Sequence, residues 1–328
     1  MSKIVSPFRG YKHSKIEDAA DNFYLQQELE VISSEVNRIE YQDLSYMQVF
    51  PLVFDNPPPG AKTYSYIDLD YAGMKVGRSY NDDGGTVNVK RTKNPTNICT
   101  RTKVYGFDVG DMQRMRLTGQ PLDRELAIAS RDVLERTVND LCWNGDDEES
   151  IPGFLTNADI PSAAVADGAV GGGTAKTWAA KTTAEIIKDI RTCYQSIITA
   201  TKGKAGKGRA MAPNAMLLAA THYAELALRP RDTGTDETLL GFLERALQRL
   251  SPGFQIISCE ELVGSGSGAT DEFVLYRRDP RVLGQVYPLP YTEQPPEDEG
   301  FMVKIRCHIQ HGGVVVRQPL AIARRRGI

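Results

Sequence analysis

The 328-residue chain has no run of about eighteen or more apolar residues, which excludes a membrane-spanning helix of ordinary length. Its first residues, Met1 to Pro7, lack the apolar centre of a signal peptide, so a soluble product made in a cytosol is expected. Charge of one sign is also missing. The 39 Lys and Arg stand against 42 Asp and Glu, a net charge of −3, which excludes a nucleic-acid binder coated in positive charge but not weak contact with a duplex. Cysteine is sparse and never spaced as CxxC. Cys99, Cys142, Cys193, Cys259 and Cys307 therefore predict neither a disulfide framework nor a zinc ribbon, but reduced, buried thiols. The four histidines are too dispersed for a His-rich metal site, and His308 and His311, three apart in a strand, fall on opposite faces. What remains is 41% hydrophobic and 25% charged, enough to bury a sizeable core.

The motifs that could carry chemistry are incomplete. Gly203 to Arg209 resembles a phosphate cradle, yet Arg209 and Ala210 occupy the positions where Lys and Ser/Thr are required. Gly264 to Gly268 has Gly266 where a nucleophile elbow needs serine, and reads as a flexible linker. The acidic runs Asp146 to Glu149 and Glu297 to Glu299 have no complementary His, Cys or Lys constellation, so they read as solvated loops. No catalytic, cofactor-binding or metal-ligating residue is assigned, no cofactor is expected, and the chain is read as a non-enzyme.

The organisation is more informative. Residues 1 to 22 form a polar arm with no core of its own, and Leu25, Leu29, Ile32, Val36 and Ile39 predict an amphipathic helix within Phe23 to Tyr46, ended before Pro51. Pro57, Pro58, Pro59 and Gly60 place a boundary. Three alternating runs follow, around Ile67 to Tyr71, Val87 to Val89 and Thr100 to Val104, with a reversal signal at Asn81 to Gly85. They predict a long, polar, two-sided hairpin too poor in apolar residues to stand alone, which is a first sign of assembly. Pro121 to Gly145 predicts one helix of about 24 residues, ~36 Å long, with a stripe of Leu126, Ala129, Val133, Thr137 and Leu141 supported by Ile128 and Leu134.

Residues 146 to 180 read as Gly-rich loops with little packed structure, and Thr182 to Glu185 as a capping box opening the next helix, closed by the basic loop Lys202 to Arg209. Helices are expected over Leu217 to Leu228 and Leu239 to Leu250, and strands over Phe254 to Ser258 and Phe273 to Tyr276. After the proline-rich stretch Pro288 to Glu299, Phe301 to Gln310 alternate strictly, Val314 to Val316 makes a final strand, and Arg324 to Arg326 form a basic tail. The class is α+β, without the strand–helix–strand rhythm of a doubly wound sheet.

This order resembles the major capsid proteins of tailed bacteriophages with the Hong Kong 97-type fold, and is similar in particular to their uncharacterised-domain branch. The residues that carry the likeness are Tyr105, Phe107 and Asp108, the Pro121 to Gly145 helix with Trp143, Asn144 and Gly145, then Gly153 to Asn157, and finally Gly312, Gly313, Arg317, Pro319, Ala321 and Gly327. The resemblance implies an N-terminal arm and helix over residues 1–50, an extended loop and strands over 51–110 and a spine helix of a peripheral domain over 111–150. An axial domain would cover 151–287, and closing strands of the peripheral domain 288–328. It implies a structural subunit that forms pentamers and hexamers of an icosahedral or prolate head enclosing double-stranded DNA, assembled in a bacterial host cytoplasm and resident in the virion. A shell protein of an encapsulin-like nanocompartment holding cargo enzymes is the alternative.

Implied partners are further copies of the chain, portal, scaffolding and decoration proteins, and DNA held by weak contact; no membrane is implied. Some shells of this fold join an extended-loop Lys to a neighbour's Asn, for which Lys75, Lys90 and Lys93 are the available donors. No long charged helical extension precedes the arm, so a mature-length subunit or a separate scaffolding protein is expected. Arg324 to Arg326 are expected to pair with acidic neighbours.

Overall fold

The computed structural model describes residues 43–72, 88–118, 122–169, 176–205, 211–232, 234 and 236–328. The arm, the helix expected across Leu25 to Ile39, the reversal at Asn81 to Gly85, Lys75, Pro121 and the end of the basic loop lie outside these residues.

In chain order the elements are α1 (Tyr46–Val49), β1 (Thr63–Ala72), β2 (Asn88–Asn97), β3 (Cys99–Asp108), α2 (Val109–Thr118), α3 (Leu122–Trp143), β4 (Gly145–Asp146), β5 (Ile151–Pro152) and β6 (Ser162–Ala164). Then come α4 (Thr183–Ala205), β7 (Ala215–Ala219), α5 (Ala220–Leu228), α6 (Leu239–Leu250), β8 (Gln255–Cys259), β9 (Glu272–Tyr276), β10 (Leu283–Gln285), β11 (Leu289–Glu293), β12 (Glu297–Glu299), β13 (Met302–His311), β14 (Val314–Val316) and β15 (Ile322–Arg326).

The centre of the body is a five-stranded sheet in the order β6-β15-β9-β7-β8, with β7 parallel to β8 and β15 parallel to β6. Ala215, Leu217 and Ala219 of β7 face one apolar core, which holds Phe50, Trp143, Phe154 and Tyr276. Met216 and Leu218 face the other, which holds Trp178, Ile186, Ile190, Leu226 and Leu243. A strand buried on both faces has no polar alternation to reveal it. That is why the helix expected to start at Leu217 begins only at Ala220, and why the parallel β7–β8 crossover carrying α5 and α6 went unread.

The long helix is present as α3, 22 residues and thus ~33 Å. Its buried line is Ser130, Leu134, Val138, Leu141 and Cys142, while Ile128 and Val133 are each 43% exposed. The buried face is therefore rotated from the expected stripe, because its seam includes a serine and a cysteine, which carry no aliphatic signal. At its end the chain reverses about two glycines. Gly145 has φ +80°, and a Cβ on Gly153 would stand 2.2 Å from the Asn144 carbonyl carbon, so both positions demand glycine. Phe154 and Leu155 N–H then donate to the Cys142 and Trp143 carbonyls at 2.9 and 2.8 Å, satisfying the helix end.

Other expectations are corrected. The Gly-rich stretch 146–180 supplies Ile151, Phe154, Ile160, Val165 and Trp178 to the cores, since a few large side chains suffice to anchor a loop. Pro288 to Glu299 contributes β11 and β12, both paired with β13. Val314 to Val316 is not the final strand, and Arg324 to Arg326 are no tail: they are β15, in the middle of the sheet. Gly264 to Gly268 is a pinned turn rather than a linker, with Gly264 N–H on Asp271 and Ser265 Oγ on Glu272, both at 2.8 Å. Half of the expected capping box is formed: the Glu185 carboxylate accepts from the Thr182 N–H and hydroxyl at 2.9 Å each, while the Glu185 N–H donates to the Thr182 carbonyl at 3.1 Å rather than to its hydroxyl.

Candidate assembly surfaces

β1 and β2 pair antiparallel over all ten residues, from Thr63↔Asn97 to Ala72↔Asn88, and no further strand joins them among the described residues. The third alternating run does not extend this hairpin: β3 leaves to pair with β13 over ten residues, from Cys99↔His311 to Asp108↔Met302. A two-stranded ribbon has two faces and no core. Side chains opposite each other share a face, so Ile67 stands with Lys93 and Leu69 with Arg91, and Val89 continues the same row. Ile67, Leu69 and Val89 are 55, 49 and 50% exposed. Covering their exposed halves is worth ~1 kcal/mol each, so the ribbon gains its packing only when another surface lies on it. Lys90 and Lys93 stand exposed along β2.

The ribbon is rooted on the body by polar contacts. Asn56 exchanges two hydrogen bonds with the Tyr287 backbone, at 2.6 and 3.1 Å, and the Gly60 N–H donates to Gln310 at 2.9 Å. Arg317 donates to the Tyr64 hydroxyl at 2.5 Å, and Tyr66 Oη to the Val316 carbonyl at 3.2 Å. Beneath them Val53, Tyr64, Val286 and Val315 form a small apolar cluster. Sequence reading missed this root, since its partners lie some 250 positions apart and the only local signal was the Pro-Gly break.

Further exposed apolar groups mark the far end of the β3–β13 sheet. Phe301 is 84% exposed beside the acidic edge strand β12, and Val109, 39% exposed, sends its N–H to the Phe301 carbonyl. Glu297 and Glu299 pair there with Arg306 at 3.1 Å and with Lys304. Lys304 holds the Glu299 carboxyl below its ordinary value.

Interior titratable groups are arranged for stability. Cys142 Sγ lies 3.7 Å from His311 Nε2, the spacing of a nucleophile and its base. Burial, however, pushes the thiol well up and the imidazole down to about 3, so both stay neutral. The Gly313 N–H donates to His311 Nδ1 at 2.9 Å, leaving the proton on Nε2, the nitrogen that faces the thiol. Such a ring cannot accept the thiol proton. As expected for a strand, His311 is buried and His308 lies on the opposite face. Among the described residues, no group of three or more His, Cys, Asp and Glu could hold a metal ion. Glu272 is fully buried against Arg324, at 2.6 and 3.3 Å, and Arg324 also donates to the Leu155 carbonyl. Arg324 is therefore committed inside the fold, contrary to the expectation that it pairs with a neighbour. His222 bridges Glu225 at 3.3 Å and Asp271 at 3.1 Å, tying α5 to the turn before β9.

No curated protein matches the chain. Solved structures do. The capsid of the myovirus phage XM1 is similar with a TM-score of 0.75 at 15% identity, over 93% of this chain and 99% of that one. The capsid of a native GTA particle is similar with a TM-score of 0.58 at 13% identity, over 94% and 97%. A virus-like particle from Pyrococcus furiosus is similar with a TM-score of 0.50 at 15% identity, over 85% and 90%. At such identities the likeness establishes the fold, which is the Hong Kong 97 type. The profile of the major capsid protein family matches residues 75–328. That match takes in β2, α3, the central sheet and β10 to β14, and by it the chain belongs to the major capsid protein family.

Proposed function

We propose that this major capsid protein builds pentamers and hexamers that close into an icosahedral or prolate phage head around double-stranded DNA, by steric fit and without a reaction centre. The observation that carries the reading is the ribbon: ten paired residues with Ile67, Leu69 and Val89 about half exposed and no core of their own. A chain that invests in such an element recovers the cost only against another copy, and heterologous contacts of this kind repeat into rings. The near-balanced charge supports loose contact with packaged DNA, since a strongly cationic lining would trap the duplex.

In this reading residues 1–50 are the arm, 51–110 the extended loop and strands, 111–150 the spine, 151–287 the axial domain and 288–328 the closing strands. Portal, scaffolding and decoration proteins complete the particle, assembled in a bacterial cytoplasm. The neutral, buried Cys142–His311 pair supports a purely structural role. A second reading, a nanocompartment shell with enzyme cargo, is favoured by the likeness to the Pyrococcus furiosus virus-like particle.

Electron microscopy of the protein expressed alone and purified by size tests both. Closed shells, tubes or rings of five and six are expected; a chain that stays monomeric in high salt and crowding agents points to dependence on a scaffolding protein, and its absence from closed particles purified from infected cells overturns the reading. Nuclease-protected DNA in shells from infected cells separates the head from the nanocompartment, which would instead hold a protein cargo.

A further inference from the structure

We infer that Arg317 is a positioning residue that sets the angle of the β1–β2 ribbon and, through it, the curvature of the shell, an inference that rests on the shell reading above. The side-chain hydrogen bonds between ribbon and body gather at its root, and Arg317 sits at their centre. Its Nη2 donates to Tyr64 Oη at 2.5 Å, and its guanidinium carbon lies 5.8 Å from the Tyr66 ring centroid. Its own backbone N–H is fixed to the Val282 carbonyl at 2.8 Å, so the arginine reaches out from a rigid point of the body. Tyr64 and Tyr66 are the second and fourth residues of β1 and share a face of it, so one guanidinium holds one face of the strand at two places.

On the same side the ribbon stands over a cleft of about 440 Å³, lined by residues 64–68 of β1 on one side and by Asp55, Arg281, Arg317 and Gln318 on the other. Beyond the Val53, Tyr64, Val286 and Val315 cluster at its base the space between ribbon and body is open, and Arg317 reaches across it to β1. Arg317 Nε is buried with no hydrogen-bond partner, and its Nη2 bond is made to a neutral phenol rather than a carboxylate. A guanidinium bound so lightly holds a position without locking it. Asp68 of the ribbon and Arg281 of the body, of opposite charge, both line the cleft. Leverage amplifies any change. A ten-residue strand spans ~33 Å, so a rotation of ~10° at the root displaces its end by ~6 Å, about the width of one strand spacing. The angle at which Ile67, Leu69 and Val89 meet the next subunit thus depends on a contact at the base.

The test uses the full chain and compares wild type with Arg317→Ala, Arg317→Lys and Tyr64→Phe. Tyr64→Phe keeps the buried ring and removes only the hydroxyl, so it carries the test even if an arginine variant folds poorly. Two readouts are taken: the diameter distribution of assembled particles by cryo-electron microscopy, and the melting temperature of the unassembled subunit. The expected result is a spread of diameters widened at least about twofold, or open sheets and tubes, with Tyr64→Phe melting within ~2 °C of wild type. A purely structural role moves melting and particle yield but leaves the diameter of those particles that form unchanged. Arg317→Ala and Tyr64→Phe particles with wild-type diameter and uniformity overturn the inference. A wild-type chain that forms no particles either alone or in infected cells overturns the shell reading beneath it, which is a distinguishable result.

Discussion

The ribbon β1–β2 and the sheet β6-β15-β9-β7-β8 are both built from short, well-paired strands, yet they are stabilised in opposite ways. In β7 and β9 every residue is buried, and their two faces feed two separate cores. Over the described part of the ribbon only Tyr64 is buried, and the side chains toward the far end are open to solvent. Strand ladders run through both, so pairing is not what separates an independently stable sheet from a dependent one. Apolar cover is. The sheet carries its cover within the chain, in α4, α5 and α6 on one side and α3 on the other; the ribbon leaves its cover to another molecule.

The contrast can be broken most forcefully at the sheet. Arg324→Ala leaves fully buried Glu272 with the Ser265 hydroxyl and Arg326 at 4.0 Å as remaining partners, and a loss of about 3–5 kcal/mol is expected by chemical denaturation of the subunit. Acid should act on the body next. His311 has its folded pKa depressed to about 3, below its unfolded value. Between these two values the unfolded chain binds the extra proton, so stability is full above the unfolded pKa and falls as pH drops toward 3. Going from pH 7 to pH 4 should cost on the order of 3 kcal/mol, and His311→Gln should flatten that part of the profile in denaturation curves taken across the range.

A smaller effect is expected at the edge of the sheet's helical cover. Thr238 caps α6 by accepting from the Gly241 N–H at 3.3 Å, and Thr238→Ala should cost ~1 kcal/mol in the same assay. Least of all should be felt at the ribbon. Ile67→Asp with Leu69→Asp is expected to change subunit stability by no more than about 0.5 kcal/mol, while abolishing particles in electron micrographs. Subunit destabilisation by several kcal/mol from that pair would show that the ribbon is covered from within its own chain and would erase the contrast.

How far the sequence disclosed this division depends on which face of each element meets water. The ribbon was legible because its strands are two-sided and flanked by turn chemistry, and β13 because Val303, Ile305, Cys307 and Ile309 alternate with polar residues. α3 was legible in extent but not in orientation, since Ser130 and Cys142 carry no aliphatic signal and Val133 is half exposed. Leu217 to Ala219 of β7 fall in an expected helix and Arg324 to Arg326 of β15 in an expected tail for one reason: a central strand is defined by neighbours distant in sequence. Ala215 to Ala219 lack alternation, and Arg324 looks like a surface residue until Glu272 arrives opposite it. The root of the ribbon was invisible on the same grounds, as Arg317 and Tyr64 come together only in the fold.

The place of β15 in the sheet sets a clock on the molecule's birth. Residues 322–326 lie between β6, at 162–164, and β9, at 272–276, and hold the two together. A ribosome delivering about 5–20 residues per second takes on the order of 8–30 s to travel from β6 to β15. During that interval the central sheet has an open slot, and the helices that cover it have nothing complete to rest on. The two strands of the ribbon are made early, but its root waits for Val286, Val315 and Arg317. The root of the ribbon and the central sheet are thus both completed by residues 315–326, so neither is finished much before the other.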